Sequence, residues 1–140
     1  AKHTQLPRPT TYDPRPQVRA VLVLIFDDNL LTSASLLIQL QSAGHEAISA
    51  STVAEARHAV PRRPDAILIN LMARSFEPPA LIRQLLKEPA MHGAQVIGFC
   101  GHLDELRKTS ALKAGCHHII SNAQAHKQLA ATLQGLGLGT

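Results

Sequence analysis

The sequence predicts a doubly wound α/β domain, in which helices cover both faces of a five-stranded parallel sheet. Three observations lead to this prediction. Five short aliphatic runs alternate with five segments whose apolar residues recur at helical spacing. The clearest of these runs are continuously apolar, as in strands that are buried on both faces. The loops between the elements are short, which favours right-handed βαβ crossovers.

The first strand and the first helix have strong signals. Residues 19–26 form a β-branched and leucine-rich run, which predicts the first strand. Residues 29–43 bring back leucine, isoleucine and alanine at helical spacing, and Gly44 ends this helix. A short second strand is predicted at 45–50.

Capping signals and prolines bound the elements in the middle of the chain. Thr52 and Glu55 have the spacing of a capping box, which begins a helix that ends near Pro61. The third apolar strand is predicted at 65–71. A proline pair then begins a helix with one apolar face, predicted at 78–89.

The last third of the chain repeats the alternation twice. The fourth strand is predicted at 95–100, and a helix follows at 103–114 with Gly115 as its stop signal. The fifth strand is predicted at 117–121. One amphipathic helix at 123–136 completes the domain.

Composition and charge exclude several classes of function. The 140 residues are 45% hydrophobic and 17% charged, which suits one domain with an aliphatic core. The formal net charge is +4, but residues 1–19 hold four basic side chains and one acidic one, so the rest is nearly neutral. That distribution and the 3% aromatic content argue against a nucleic-acid interface on the domain. The apolar run at 18–26 is too short to span a membrane.

The two ends of the chain differ from its centre. Residues 1–18 are polar and rich in proline, so we predict a flexible arm. Residues 19–136 form the predicted domain, and the glycine-rich segment 137–140 is expected to be a loose tail. The sequence shows no secretory signal, and a reducing cytoplasm is the simplest compartment for a chain with two cysteines.

Polar residues and a cysteine lie where the predicted strands end. Ligands of a doubly wound sheet bind outside the carboxyl ends of its strands. Asp27 and Asp28 follow the first strand, and Asn70 ends the third. Cys100, Gly101 and His102 follow the fourth strand, and Ser121 and Asn122 follow the fifth. These strand-end residues therefore form the candidate site.

Four segments give the chain a resemblance to a known family. FDDN, PDAILINLM, VIGFCGH and KAGCHHIIS, in this order, resemble the receiver domain of two-component response regulators, and the resemblance runs from Arg19 to Leu136. It implies a flavodoxin-like fold with strand order 2-1-3-4-5. It also implies an aspartate that ends the third strand and accepts a phosphoryl group. An acid pair with Mg²⁺, a Ser or Thr after the fourth strand and a Lys after the fifth would support that reaction.

The family's catalytic positions are only partly present in this chain. The resemblance places the acid pair on Asp27 and Asp28. The phosphoacceptor position falls on Asn70, the Ser/Thr position on Cys100 and the lysine position on Asn122.

These changes remove most of the phosphoryl-transfer chemistry. The amide nitrogen of Asn70 is not a nucleophile, and the lost lysine would have offset the charge of a phosphoryl group. The family's switch aromatic is also absent, because its position falls on Ile119. We therefore expect a degenerate pseudo-receiver with no catalytic residue and no required cofactor. Asp27 and Asp28 would bind Mg²⁺ weakly at most.

Other uses of these residues stay open. Asp27 and Asp28 either bind a divalent ion weakly or stabilise the start of the following helix. Cys100 is either a redox-sensitive thiol or a small buried apolar residue. A zinc site formed by histidines and cysteines, namely His102, His117, His118, Cys100 and Cys116, is not favoured, because His117 and His118 are adjacent in a strand and point to opposite faces.

The resemblance, with the changed positions, implies a protein-interaction module of bacterial two-component signalling, which is expected to be independent of phosphorylation and not an enzyme. Its protein partner would be a signalling kinase, an output domain or another receiver, bound through the face formed by residues 103–136. A homodimer is an alternative, and neither nucleic acid nor membrane is an expected partner. Two competing functions remain: residual Mg²⁺-dependent phosphoryl acceptance at Asp27 or Asp28, and a metal or thiol sensor in the same cleft.

Overall fold

The computed structural model describes residues 19–139. They form a five-stranded parallel sheet in the order β2-β1-β3-β4-β5, which confirms the predicted fold class. The strands are β1 (Leu22–Phe26), β2 (Glu46–Ala50), β3 (Ala66–Asn70), β4 (Gln95–Cys100) and β5 (His118–Ser121).

Between residues 19 and 139, six α-helices and two short 3-10 turns connect and cover the strands. The helices are α1 (Leu30–Ser42), α2 (Val53–Ala59), α3 (Pro78–Leu86), α4 (Glu105–Ala114), α5 (Asn122–Lys127) and α6 (Leu129–Gly135). The 3-10 turns are Val60–Arg62 and Pro89–Met91, and both contain one of the prolines that were expected to end a helix. Proline has no N–H group to donate the next α-helical hydrogen bond, so the chain forms a short 3-10 turn at each of these prolines.

Local sequence signals account for the helix ends. The Asn29 side chain caps α1 by accepting from the N–H groups of Leu31 and Thr32, and Thr52 caps α2 by accepting from the N–H of Glu55. Gly115 ends α4 with a φ of 112°, which a residue with a Cβ atom rarely adopts.

The last helix differs from the prediction. Instead of one helix at 123–136, the chain forms α5 and α6 with a break at Gln128, where φ is −139° and ψ is 34°. The Gln39 side chain of α1 reaches this break: its Oε1 accepts from the N–H of Leu129 (3.2 Å), and its Nε2 donates to two carbonyl groups of α5 (3.0 Å). A distant side chain thus satisfies the backbone groups that the break would leave without partners.

Two apolar cores lie on opposite faces of the sheet. One core joins the sheet to α2, α3 and α4 and contains Leu24 and Phe26 of β1. The other joins the sheet to α1, α5 and α6 and contains Val23 and Ile25. We call them the α2/α3/α4 core and the α1/α5/α6 core. Successive residues of β1 alternate between the two cores, as the period of a strand requires.

The end of the described segment packs against the domain. Leu138 is buried in the α1/α5/α6 core, and the N–H of Arg19 donates to the carbonyl of Gly139 (3.0 Å). The expectation of a loose tail is therefore wrong for residues 137–139, because an apolar side chain in this segment has a buried place to occupy. The predicted arm at 1–18 lies outside the described residues.

None of the helices between residues 19 and 139 is both long enough and apolar enough to cross a membrane.

Candidate functional site

The structure brings the acid pair and Asn70 together at the carboxyl ends of β1 and β3. The two strands are neighbours in the sheet, so the residues that follow them share one edge. A cleft of about 630 Å³ opens there, and it is lined by Asp28, Asn29, Leu30, Leu31, Asn70, Met72 and Arg74. Asp27 lies beneath this cleft, with 1% of its surface exposed.

Asp27 is a buried carboxylic acid with one oxygen atom satisfied and one not. Its Oδ1 accepts from the N–H of Asn29 (2.9 Å) and from Nδ2 of Asn70 (3.1 Å). Its Oδ2 has no hydrogen-bond partner among residues 19–139. Burial raises the pKa of the Asp27 carboxyl above its ordinary value, against the opposing effect of the bonds from Asn29 and Asn70.

The hydrogen bonds of Asn70 fix which way its amide points. Its Oδ1 accepts from the N–H of Met72 (2.9 Å), so its Nδ2 is the atom that faces Asp27. An aspartate at this position would place a second negative charge against the buried carboxyl of Asp27. Asparagine instead donates a hydrogen bond there, so its amide stabilises the site without a metal ion.

Asp28 holds the loop between β3 and α3 in place. Its Oδ2 accepts from the N–H groups of Arg74 (2.8 Å) and Ser75 (2.9 Å). Partial burial favours the neutral acid, but the hydrogen bonds from Ser75 and Arg74 outweigh it and lower the pKa of Asp28. The next loop residue, Phe76, packs edge-on against Phe26 of β1 with ring centroids 4.4 Å apart.

This loop was not predicted from the sequence. The N–H groups of residues 74 and 75 carry no side-chain signal, because every residue except proline has such a donor. The aromatic ring at position 76 was the only available hint. The structure shows that the acid pair has two different tasks: Asp27 is buried under the cleft, whereas Asp28 anchors the loop.

Cys100 does not face the cleft as an accessible thiol. It is fully buried in the α2/α3/α4 core, and burial, followed by the charge of Asp104, raises the pKa of its thiol. Cys116 is also buried, and desolvation raises its thiol pKa as well. A thiol with a raised pKa is a poor nucleophile, and both cysteines are free. Of the two alternatives for Cys100, the geometry favours the buried apolar residue.

Asn122 and Ile119 also take structural places. Asn122 begins α5, and its Nδ2 lies 3.9 Å from the sulfur of Met72 across the cleft. Ser121 caps this helix in a capping box with Gln124, a spacing that was visible in the sequence. Ile119 is partly buried against the α2/α3/α4 core.

The histidines near β5 hydrogen-bond to the sheet instead of converging on one point. Nδ1 of His117 accepts from the N–H of Val96 (2.8 Å), and Nε2 of His118 lies 2.7 Å from Oε1 of Gln95. Within residues 19–139, no three His, Cys, Asp or Glu side chains are grouped so that they could hold a metal ion.

Solved receiver structures share this fold. The chemotaxis response regulator CheY4 of Vibrio cholerae is similar with a TM-score of 0.74 and 18% identity, over 84% of this chain and 98% of that chain. The receiver domain of the sensor histidine kinase PA1611 of Pseudomonas aeruginosa was solved with a magnesium ion in its active-site cleft. It is similar with a TM-score of 0.72 and 19% identity, over 83% of this chain and 96% of that chain. NtrX of Brucella abortus is similar with a TM-score of 0.71 and 21% identity, over 83% of this chain and 26% of the NtrX chain.

These similarities establish the fold, which is that of the receiver domains of response regulators and sensor kinases. The sequence itself matches no protein-family model and no curated protein.

Magnesium, which the receiver fold implies, fits the described residues poorly. Mg²⁺ prefers six oxygen ligands in octahedral geometry, usually with carboxylates among them. The oxygen of Asp27 that has no partner is buried, Oδ2 of Asp28 is already bound to two N–H groups, and Asn70 turns its nitrogen towards Asp27. No reaction step is therefore assigned to a metal ion in this cleft.

Proposed function

We propose that this chain is an atypical receiver domain that acts in two-component signalling as a phosphorylation-independent protein-interaction module, without enzymatic activity. One observation carries the proposal: the residue at the phosphoacceptor position is Asn70, and its amide donates to Asp27. The position therefore supplies a hydrogen-bond donor where phosphoryl transfer needs a carboxylate nucleophile.

The neighbouring positions support the same conclusion. Cys100 is buried and its thiol is a weak hydrogen-bond donor, so it is a poor substitute for a hydroxyl group that follows the phosphoryl group. Asn122 carries no positive charge to stabilise the transferred group. The loop after β3 is already bound to Asp28 through the N–H groups of Arg74 and Ser75, so no phosphoryl group is needed to order that contact.

The partner-binding face that we propose is formed by residues 103–136. Leu103 and Leu106, near the start of α4, are 81% and 80% exposed, and Leu112 is 52% exposed. A groove of about 470 Å³ lies between α4 and the loop that Asp28 anchors. Exposed leucines beside a groove are typical of surfaces that bind another protein, which would be a signalling kinase, an output domain or another receiver.

The test is phosphorylation by a small acyl phosphate in the presence of Mg²⁺, measured as the intact mass of the protein. We expect no phosphoryl adduct on the wild-type chain. The triple variant Asn70→Asp/Cys100→Ser/Asn122→Lys restores the family's residues and serves as the positive control. An adduct on the wild type that disappears in Asp28→Ala or in Asp27→Ala would overturn the proposal and establish residual phosphoryl acceptance at that carboxylate.

A second measurement examines the response to a phosphoryl mimic. Beryllium fluoride with Mg²⁺ should leave the thermal midpoint of the wild type unchanged and should raise that of the restored variant. A comparable rise in the wild type would contradict the proposed independence from phosphorylation.

A further inference from the structure

An apolar stripe runs along the outer face of α1. Leu31 is 85% exposed and Ile38 is 61% exposed, and Ala34 between them is also exposed. Their spacing of three and then four residues places them on one side of the helix. Leu30 adds a further leucine at the same end, 75% exposed.

The core does not explain this stripe. The inner face of α1 already packs through Leu36 and Leu40, which are fully buried in the α1/α5/α6 core. A helix with one buried face normally carries charged or polar residues on the opposite face. The 13 residues of α1 contain no charged side chain at all.

The geometry points to pairing of two copies of this chain through α1, with the two helices antiparallel about a two-fold axis. The stripe has a large residue, a small residue and a large residue in sequence. A two-fold axis at Ala34 places Leu31 of each copy against Ile38 of the other, while the small side chain lets the helices approach closely. The stripe is thus complementary to itself.

The lack of charge favours a second copy over an unlike partner. Interfaces between unlike chains use charge to select the partner and to steer its approach. The stripe itself offers no charge for that purpose; the nearest basic residues, Arg74 beside Leu31 and Lys127 beside Ile38, line the clefts at its two ends. The exposed side chains of one helix cover less than the roughly 800 Å² per partner of a standard interface, so the dimer is weak and depends on concentration. This inference is independent of the proposed signalling function.

Sedimentation of the full chain over a range of concentrations tests the pairing. We expect a monomer–dimer equilibrium in the micromolar to millimolar range for the wild type. Leu31→Glu and Ile38→Lys should each abolish the dimer, because each buries an unpaired charge. The double variant Leu31→Glu/Ile38→Lys places opposite charges across the same contact and should restore it. Leu106→Glu, an equally exposed leucine on α4, should have no effect.

Cross-linking provides an independent measurement. Ala34→Cys lies at the proposed axis and should form a disulfide dimer under mild oxidation, since both native thiols are buried. The control Thr109→Cys, at an exposed position of α4, should remain monomeric.

Four results would overturn the inference. A wild type that stays monomeric at every concentration would leave the stripe to an unlike partner. Loss of the dimer in Leu106→Glu would show that the interface lies on α4. Cross-linking of Thr109→Cys without cross-linking of Ala34→Cys would show the same. A dimer that survives both single α1 substitutions would exclude the stripe. Failure of the double variant to restore the dimer would rule out the antiparallel register. Circular dichroism of each variant checks that the fold is retained.

Discussion

Asp27 is expected to reduce the stability of the domain at neutral pH, because its Oδ2 is buried without a hydrogen-bond partner among the described residues. Leaving a buried polar atom unsatisfied costs about 1–3 kcal/mol, and a charged group costs more. Asp27→Asn keeps the volume and the acceptor for the N–H of Asn29, and it replaces the buried charge by a neutral amide whose Nδ2 takes the unpartnered place of Oδ2, so the gain comes from the lost charge alone. We expect it to raise the free energy of unfolding by about 1–2 kcal/mol, or roughly 3–8 °C in Tm.

The stability difference between wild type and Asp27→Asn should depend on pH. Burial raises the pKa of Asp27, so the folded chain holds this proton more tightly than the unfolded chain, whose value is near 3.8. Between that value and the raised one, the stability contributed by Asp27 falls as the pH rises. Urea unfolding in EDTA, measured from about pH 3 to pH 7, should therefore show equal stabilities for wild type and Asp27→Asn at the acid end and a growing advantage for the variant above it.

Asp28→Asn is the matched control. Its carboxylate is stabilised by two backbone N–H groups and its pKa is lowered, so the substitution should destabilise the domain at neutral pH, by about 1 kcal/mol. An Asp27→Asn variant that is less stable than the wild type at neutral pH would show that the buried charge of Asp27 does not destabilise the domain. A difference that persists unchanged at the acid end would do the same.

Two further predictions concern packing and the break between α5 and α6. Gly98→Ala should destabilise the domain by about 1–3 kcal/mol, because its new Cβ would lie 2.7 Å from a side-chain carbon of Leu71, whereas Gly93→Ala has open space and should be nearly neutral. Gln39→Leu should cost about 1–3 kcal/mol in urea unfolding, since it removes the partners of three backbone groups at the break. Gln41→Leu, on the exposed side of the same helix, is its control; equal effects of the two glutamine substitutions would show that the break does not need this side chain.

The placement of three candidate residues at strand ends was predictable, but their contacts were not. Asp27, Asp28 and Asn70 were placed at strand ends by the alternation of strands and helices alone. Which atom of Asn70 faces Asp27 depends on the N–H of Met72, and the role of Asp28 depends on a loop about 46 residues away in the chain. Such contacts leave no periodic pattern in the sequence. For Cys100, the sequence allowed either a redox-sensitive thiol or a small buried apolar residue. Its burial in the structure favours the second.

Features that come from short-range patterns could be predicted from the residues alone. The period of apolar residues defined the strands and helices, and capping residues such as Asn29 and Thr52 lie where single helices begin. The tertiary structure decided what depends on residues far apart in the chain: Gln39 makes the hydrogen bonds at the break between α5 and α6, and Leu138 is buried against the domain. The physical reason is that the side-chain direction of a helix or strand repeats within a few residues, so it leaves a pattern in the sequence. The partner of a buried polar group, or of an apolar side chain near the chain end, is determined only when distant elements pack together.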